Sequence, residues 1–145
     1  MKRTALILVV LFSSIMFSLP LIGDDNKNEK SSELGEQLVL MVTSILQGKD
    51  YAEFKENISP EAYLIYNNTY ESIFEVLENS SKKEIFIDGK KAEVGYVHLW
   101  MPDDQKTAYL VLGTKNSDNG KTSWHSILFK IGENQKWQIL NWHKS

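Results

Sequence analysis

From Glu84 to His143 the chain alternates runs rich in β-branched and aromatic residues with clusters of turn formers, and no other feature limits its fold as strongly. The clusters are Asp88-Gly89, Pro102-Asp103-Asp104-Gln105, Asn116-Ser117-Asp118-Asn119-Gly120 and Gly132-Glu133-Asn134-Gln135. Gly, Asn and Asp accept the left-handed backbone that tight turns need, while β-branched and aromatic side chains suit a pleated surface. The pattern predicts five strands over 84–88, 91–101, 107–115, 122–131 and 136–143. Connections this short leave no room for crossover helices, so successive strands pair antiparallel as a meander.

Upstream, the periodicity changes from two to about 3.6. Leu34, Leu38, Met41, Val42, Ile45 and Leu46 form one helical stripe, with Ser31 or Ser32 able to cap its start and Gly48 its end. Asp50-Tyr51-Ala52-Glu53 has the spacing of a capping box, predicting a short helix to about Asn57. Ser59-Pro60-Glu61 reads as a cap, a first-turn proline and an acidic first turn, starting a helix that carries Ala62, Leu64 and Ile65. A further helix is predicted from about Tyr70 to Glu78.

Residues 1–23 have another character. Lys2-Arg3 precede an apolar run from Ala5 to Ile22, and Pro20 stands just before Leu21-Ile22-Gly23. A basic start, an apolar segment and a small residue describe a signal peptide, and the run approaches the length of an uncleaved signal anchor. Either expectation puts the domain outside the cytoplasm, secreted or anchored to the outer face of the membrane. Residues 24–30 read as a polar spacer and 31–145 as one domain, in keeping with a chain of 145 residues. Cysteine is absent, which excludes a lipidated Cys, a disulfide and a thiol nucleophile. The formal net charge is −3 and the only arginine is Arg3, so the domain lacks the bidentate fork used on phosphates and base edges. Nucleic acid is therefore not an expected partner.

Helices followed by an antiparallel meander make an α+β arrangement, with N-terminal helices packed on a curved sheet. The order of elements, the Gly48-Lys49-Asp50-Tyr51 break, the Ser59-Pro60-Glu61 restart and the closing Trp137-Gln138-Ile139 strand resemble the NTF2-like superfamily. That cone fold, also called cystatin-like or SnoaL-like, would cover residues 31–145. The resemblance implies a sheet-backed homodimer, as in many members, and a range of roles from isomerase and dehydratase to extracytoplasmic bacterial domains with no known activity. The strand-borne Asp base of the superfamily's isomerases, with its acidic or Tyr partner, has no match on the inner face assigned below. Fold alone leaves function open.

The faces of the sheet follow from register. Placing Trp100 opposite Ala108, Thr114 opposite Ser123 and Ile131 opposite Trp137 brings all three histidines, His98, His125 and His143, onto one face. Tyr96, His98, Trp100, His125, Trp137, Ile139 and Asn141 then line a candidate pocket, apolar with a few polar groups, suited to a small hydrophobic molecule, a peptide or an envelope component. The opposite face, with Tyr109, Trp124 and Trp142, is too apolar for water and is the candidate homodimer interface.

The chemistry these residues offer is sparse. Three histidines from three strands, without HxH or HExxH spacing, give no metal site, and no cofactor fingerprint, phosphate loop or nucleophile elbow is present. Ser123 and Ser126 flank His125 and are expected on the face opposite to it, which rules out a dyad. The residues favour a non-catalytic binding domain. The alternatives are an isomerase or lyase using His98 or His125 as base with Tyr96 as acid, and an envelope interaction module with no pocket.

Overall fold

The computed structural model describes residues 25–145, with side chains from residue 32, so the leader and its cleavage lie outside the described residues. Helix α1 spans Asp25–Leu46 and so begins within the segment read as a spacer, ahead of Ser31. From Leu38 onward the expected stripe holds, with Leu38, Met41, Val42, Ile45 and Leu46 buried. Gly48, at φ +78°, ends the helix: its N–H donates to Ile45 O at 2.9 Å and that of Lys49 to Ser44 O at 3.1 Å. This is a Schellman closure, which favours glycine at that position. Asp50 then caps a 3-10 helix, Tyr51–Asn57, by accepting from Ala52 N at 3.0 Å.

Two elements differ in kind from those expected. Strand β1 (Ile58–Tyr66) stands where Ser59-Pro60-Glu61 predicted a helix. It runs parallel to the last strand, but the ladder shifts between Ile58 and Tyr63, and Pro60 sits in that gap. A proline, with no N–H to donate, is tolerated where the ladder is interrupted. Ala62, Leu64 and Tyr66 alternate inward with period two, a strand signal that the Ser-Pro-Glu start obscured. Asn67 and Asn68, both at positive φ, form the tight turn into β2 (Thr69–Ser72). Helix α2 therefore starts at Ile73 rather than Tyr70 and ends at Glu78. Helix α3 (Ser80–Phe86) replaces the strand expected over 84–88, because Asn79 caps it by accepting from Lys82 N and its turn buries Phe86 while exposing Ile85.

Strands β3 (Ala92–Trp100), β4 (Thr107–Asn116), β5 (Thr122–Ile131) and β6 (Trp137–Lys144) form the expected antiparallel meander. The six-stranded order is β2-β1-β6-β5-β4-β3. Registers Thr114↔Ser123 and Ile131↔Trp137 are as predicted, but Trp100 pairs with Tyr109 and not with Ala108. Gly95 is the cause: Val94 pairs with Thr114 and Tyr96 with Gly113, so Gly95 is the extra residue of a bulge. A second bulge at Leu140 separates Ile139↔Phe129 from Asn141↔Leu128. Each bulge swaps every later side chain to the other face. Tyr96, His98, Trp100, Asn141 and His143 therefore lie on the outer face, and Trp142 and Lys144 on the inner one.

Candidate functional site

The middle of the inner face holds core where the sequence predicted a pocket, while Val97, Leu99, Ile131 and Trp137 on the same face are partly exposed. Leu110, Leu112, Ile127, Phe129, Ile139 and Trp142 are at most 1% exposed, so no water-sized gap touches them. Of the seven candidate pocket residues, His125, Trp137 and Ile139 remain on this side and the other four do not. Trp142, predicted at a dimer interface, is fully buried with Phe86 against it edge-on at 5.0 Å, whereas Tyr109 and Trp124 are exposed on the outer face as expected.

Within that core lies a polar cluster. Asp88 comes from the loop after α3, Thr114 from β4, His125 from β5, and Trp142 and Lys144 from β6. Asp88 Oδ2 accepts from Thr114 Oγ1 at 2.6 Å and from His125 Nε2 at 2.9 Å. Its Oδ1 accepts from Lys144 Nζ at 2.7 Å, and that ammonium also donates to Phe86 O. Trp142 Nε1 donates to His125 Nδ1 at 3.1 Å. Indole can only donate, so Nδ1 must be the acceptor and the imidazole proton sits on Nε2. Burial lowers the His125 pKa, outweighing the opposing pull of Asp88, and the ring is neutral. Burial also lowers that of Lys144. For Asp88, burial alone would favour the acid. Hydrogen bonds from His125, Lys144 and Thr114 outweigh it and hold the carboxyl well below the usual range. The result is a buried Asp88–Lys144 ion pair propped by a neutral imidazole.

This cluster has little to offer a substrate. Both ring nitrogens of His125 are engaged and its side chain is inaccessible. Ser123 does share the inner face with His125, contrary to the expectation, because the two are two residues apart on one strand. No dyad results, since His125 has no free nitrogen to accept a serine proton. Next to the cluster a polar crevice of about 260 Å³ is lined by Glu84, Asp88, Asn116, Lys121 and Ser123 among others. His98 and His143 are separated by β4 and β5 and cannot converge on one atom. Among the described residues no group of His, Asp and Glu is placed to hold a metal ion.

The outer face is the unusual surface. Tyr96, Trp100, Tyr109 and Trp124 are each about half exposed there. Tyr96 meets Trp124 edge-on at 5.5 Å across Gly113, where an added Cβ would fall 3.0 Å from the indole, and Trp100 lies 5.8 Å from Tyr109. Further along, Tyr70 stacks on Tyr63 at 4.5 Å, and Asn141 donates to the Tyr63 hydroxyl.

Six strands curving over helices, with the chain's last strand between β1 and β5, match known structures. A ketosteroid isomerase-like protein from Shewanella frigidimarina superposes with TM-score 0.62 at 10% identity, over 77% of this chain and 94% of that one. One from Parabacteroides distasonis gives 0.60 at 14% identity, over 77% and 86%. An NTF2-like superfamily protein from Salmonella enterica serovar Typhimurium gives 0.57 at 18% identity, over 82% and 92%. The chain has the NTF2-like fold. No family model and no curated protein sequence matches it. At these identities the likeness is one of fold, and the residues of the NTF2-like domain have to speak for its chemistry.

Proposed function

We propose that this NTF2-like domain is a non-catalytic interaction module held outside the cytoplasm, secreted or tethered by its N-terminal segment, that assembles as a homodimer through the outer face of its sheet. The observation that carries this reading is that Tyr96, Trp100, Tyr109 and Trp124 are each about half exposed on one face of the sheet, as two pairs on either side of the His98–Val111–Ser126 row. Exposed aromatic residues gathered on one face mark interaction sites, and aromatic anchors dominate interface energetics. The packed middle of the inner face, at Leu110, Leu112, Ile127 and Phe129, speaks against a ligand seated there, and the engaged nitrogens of His125 speak against acid-base work beside it. His98, the other candidate base, stands on the exposed face outside any enclosed site.

Light scattering on the full chain in a non-ionic detergent tests the reading. The expected result is a dimer at micromolar concentration that Trp124→Lys and Tyr109→Lys each convert to a folded monomer. A wild-type monomer, or a dimer indifferent to both substitutions, overturns it. Fractionation of the native host with an antibody to the domain tests the location, and recovery of the chain with cytoplasmic proteins would refute it.

A further inference from the structure

Three rows of side chains cross the outer face from β3 towards β2, and the middle row carries two of the three histidines. Followed by ladder partner it reads His98, Val111, Ser126, His143, Ile65 and Tyr70. One flanking row holds Tyr96, Gly113 and Trp124, and the other Trp100, Tyr109, Leu128, Asn141 and Tyr63. No Asp or Glu side chain belongs to these rows. Around His98 the titratable neighbours are Tyr96 on its own strand and Tyr109 on β4. Around His143 they are Tyr63 on β1 and Tyr70 on β2, while β5 presents only Ser126, Trp124 and Leu128. Phenols stay neutral at the pH where imidazoles titrate. Charged groups begin at the margins, with Glu93 and Lys115 at one end and Lys130 at the other.

We propose that the outer-face dimer is pH-gated, with proton uptake by His98 and His143 driving the two copies apart as the medium acidifies. This rests on the sheet-face reading above. A second copy is the occupant argued for because the chain carries a net charge of −3 and this face is uncharged, so two copies meet there without like-charge repulsion. Fourteen side-chain positions, on strands about 4.8 Å apart and in rows about 7 Å apart, make a patch of roughly 470 Å² before side-chain relief, somewhat over half of the ~800 Å² that each partner buries in a standard interface. A two-fold contact sets this patch against itself and encloses the histidine row between the aromatic rows. Neutral imidazoles fit that environment, whereas imidazolium would be desolvated with no Asp or Glu side chain in the opposing rows to compensate it.

Sedimentation of the full chain in detergent, at about pH 7.5 and about pH 5.5, tests the gate across the range in which imidazole charges. Association of the wild type should weaken by about tenfold or more at the lower pH, the order expected when even one imidazole must shed its proton to enter the interface. The double variant His98→Gln, His143→Gln should associate equally at both. Near-UV circular dichroism reports whether each sample is folded. An unchanged wild type, or a double variant that weakens as much as the wild type, overturns the gate while leaving the dimer standing. A wild type that is monomeric at the higher pH overturns the sheet-face reading and the gate with it.

Discussion

His125 shows how a residue that looks reactive can be spent on structure. Its Nε2–H is given to Asp88 and its Nδ1 takes the Trp142 N–H, so replacing it with leucine leaves an indole donor and a carboxylate oxygen short of partners. His125→Leu should cost about 2–4 kcal/mol, the range for buried groups left unsatisfied, measurable by urea denaturation. The same geometry sets a pH dependence. The folded-state pKa of His125 is lowered, so its contribution is fully present above the ordinary histidine value of 6.5 and is lost as pH falls through the folded value. Unfolding free energy should decline as the medium is made mildly acidic, and the decline should be smaller in His125→Leu. Asp88, also lowered, adds its loss only below its ordinary 3.8. Thr43 is the opposite case: among the described residues its buried hydroxyl has no hydrogen-bond partner. Thr43→Val keeps the shape and removes the unsatisfied group, and should raise stability by about 1 kcal/mol in the same assay.

At the scale of elements, ends and interruptions decide more than propensity does. Asn79 separates α2 from α3 by accepting from Lys82 N at 3.1 Å, and Asn79→Ala should cost about 1 kcal/mol, seen as a lowered melting temperature. Gly95 matters through an extra residue and not through space, since an added Cβ there would meet nothing within 4 Å. The bulge at Gly95 sends Tyr96, His98 and Trp100 outward, and the one at Leu140 does the same to Asn141 and His143 while drawing in Trp142 and Lys144. A glycine inside a strand pattern is a bulge signal, so the first shift was legible at Gly95. Nothing comparable marks Leu140 in Trp137-Gln138-Ile139-Leu140-Asn141, where alternation reads unbroken. The Asn67-Asn68 turn was likewise legible between two tyrosine-bearing runs and was outweighed by the helical cue of Ser59-Pro60-Glu61.

Across the whole molecule, the two faces of the sheet predict opposite outcomes for the same kind of change. Trp142 is fully buried, and its loss opens a cavity beside Phe86 and frees the His125 ring. Trp142→Ala should cost about 3–5 kcal/mol, a large part of the stability of a domain this size. Trp124, half exposed on the outer face, should tolerate lysine within about 0.5 kcal/mol for the folded monomer. Denaturation curves of the two variants should therefore separate widely, and similar losses in both would contradict the assignment of faces.

The sequence by itself determined the α+β class, the helical stripe and its glycine end, four of the five strands predicted for the meander and two of the three registers, because these are local: turn chemistry and side-chain periodicity lie within a few residues of each other. The resemblance read from the order of elements led to the right fold. Only the tertiary structure decided that Ser59-Pro60-Glu61 extends beside the last strand, that Glu84-Ile85-Phe86 winds into a helix, and that the histidines divide between a sealed core and an open face. Each of these depends on a partner distant in sequence. A strand beside β6 completes a ladder that an isolated Ser-Pro-Glu cannot foresee, and a bulge of one residue reverses every side chain beyond it.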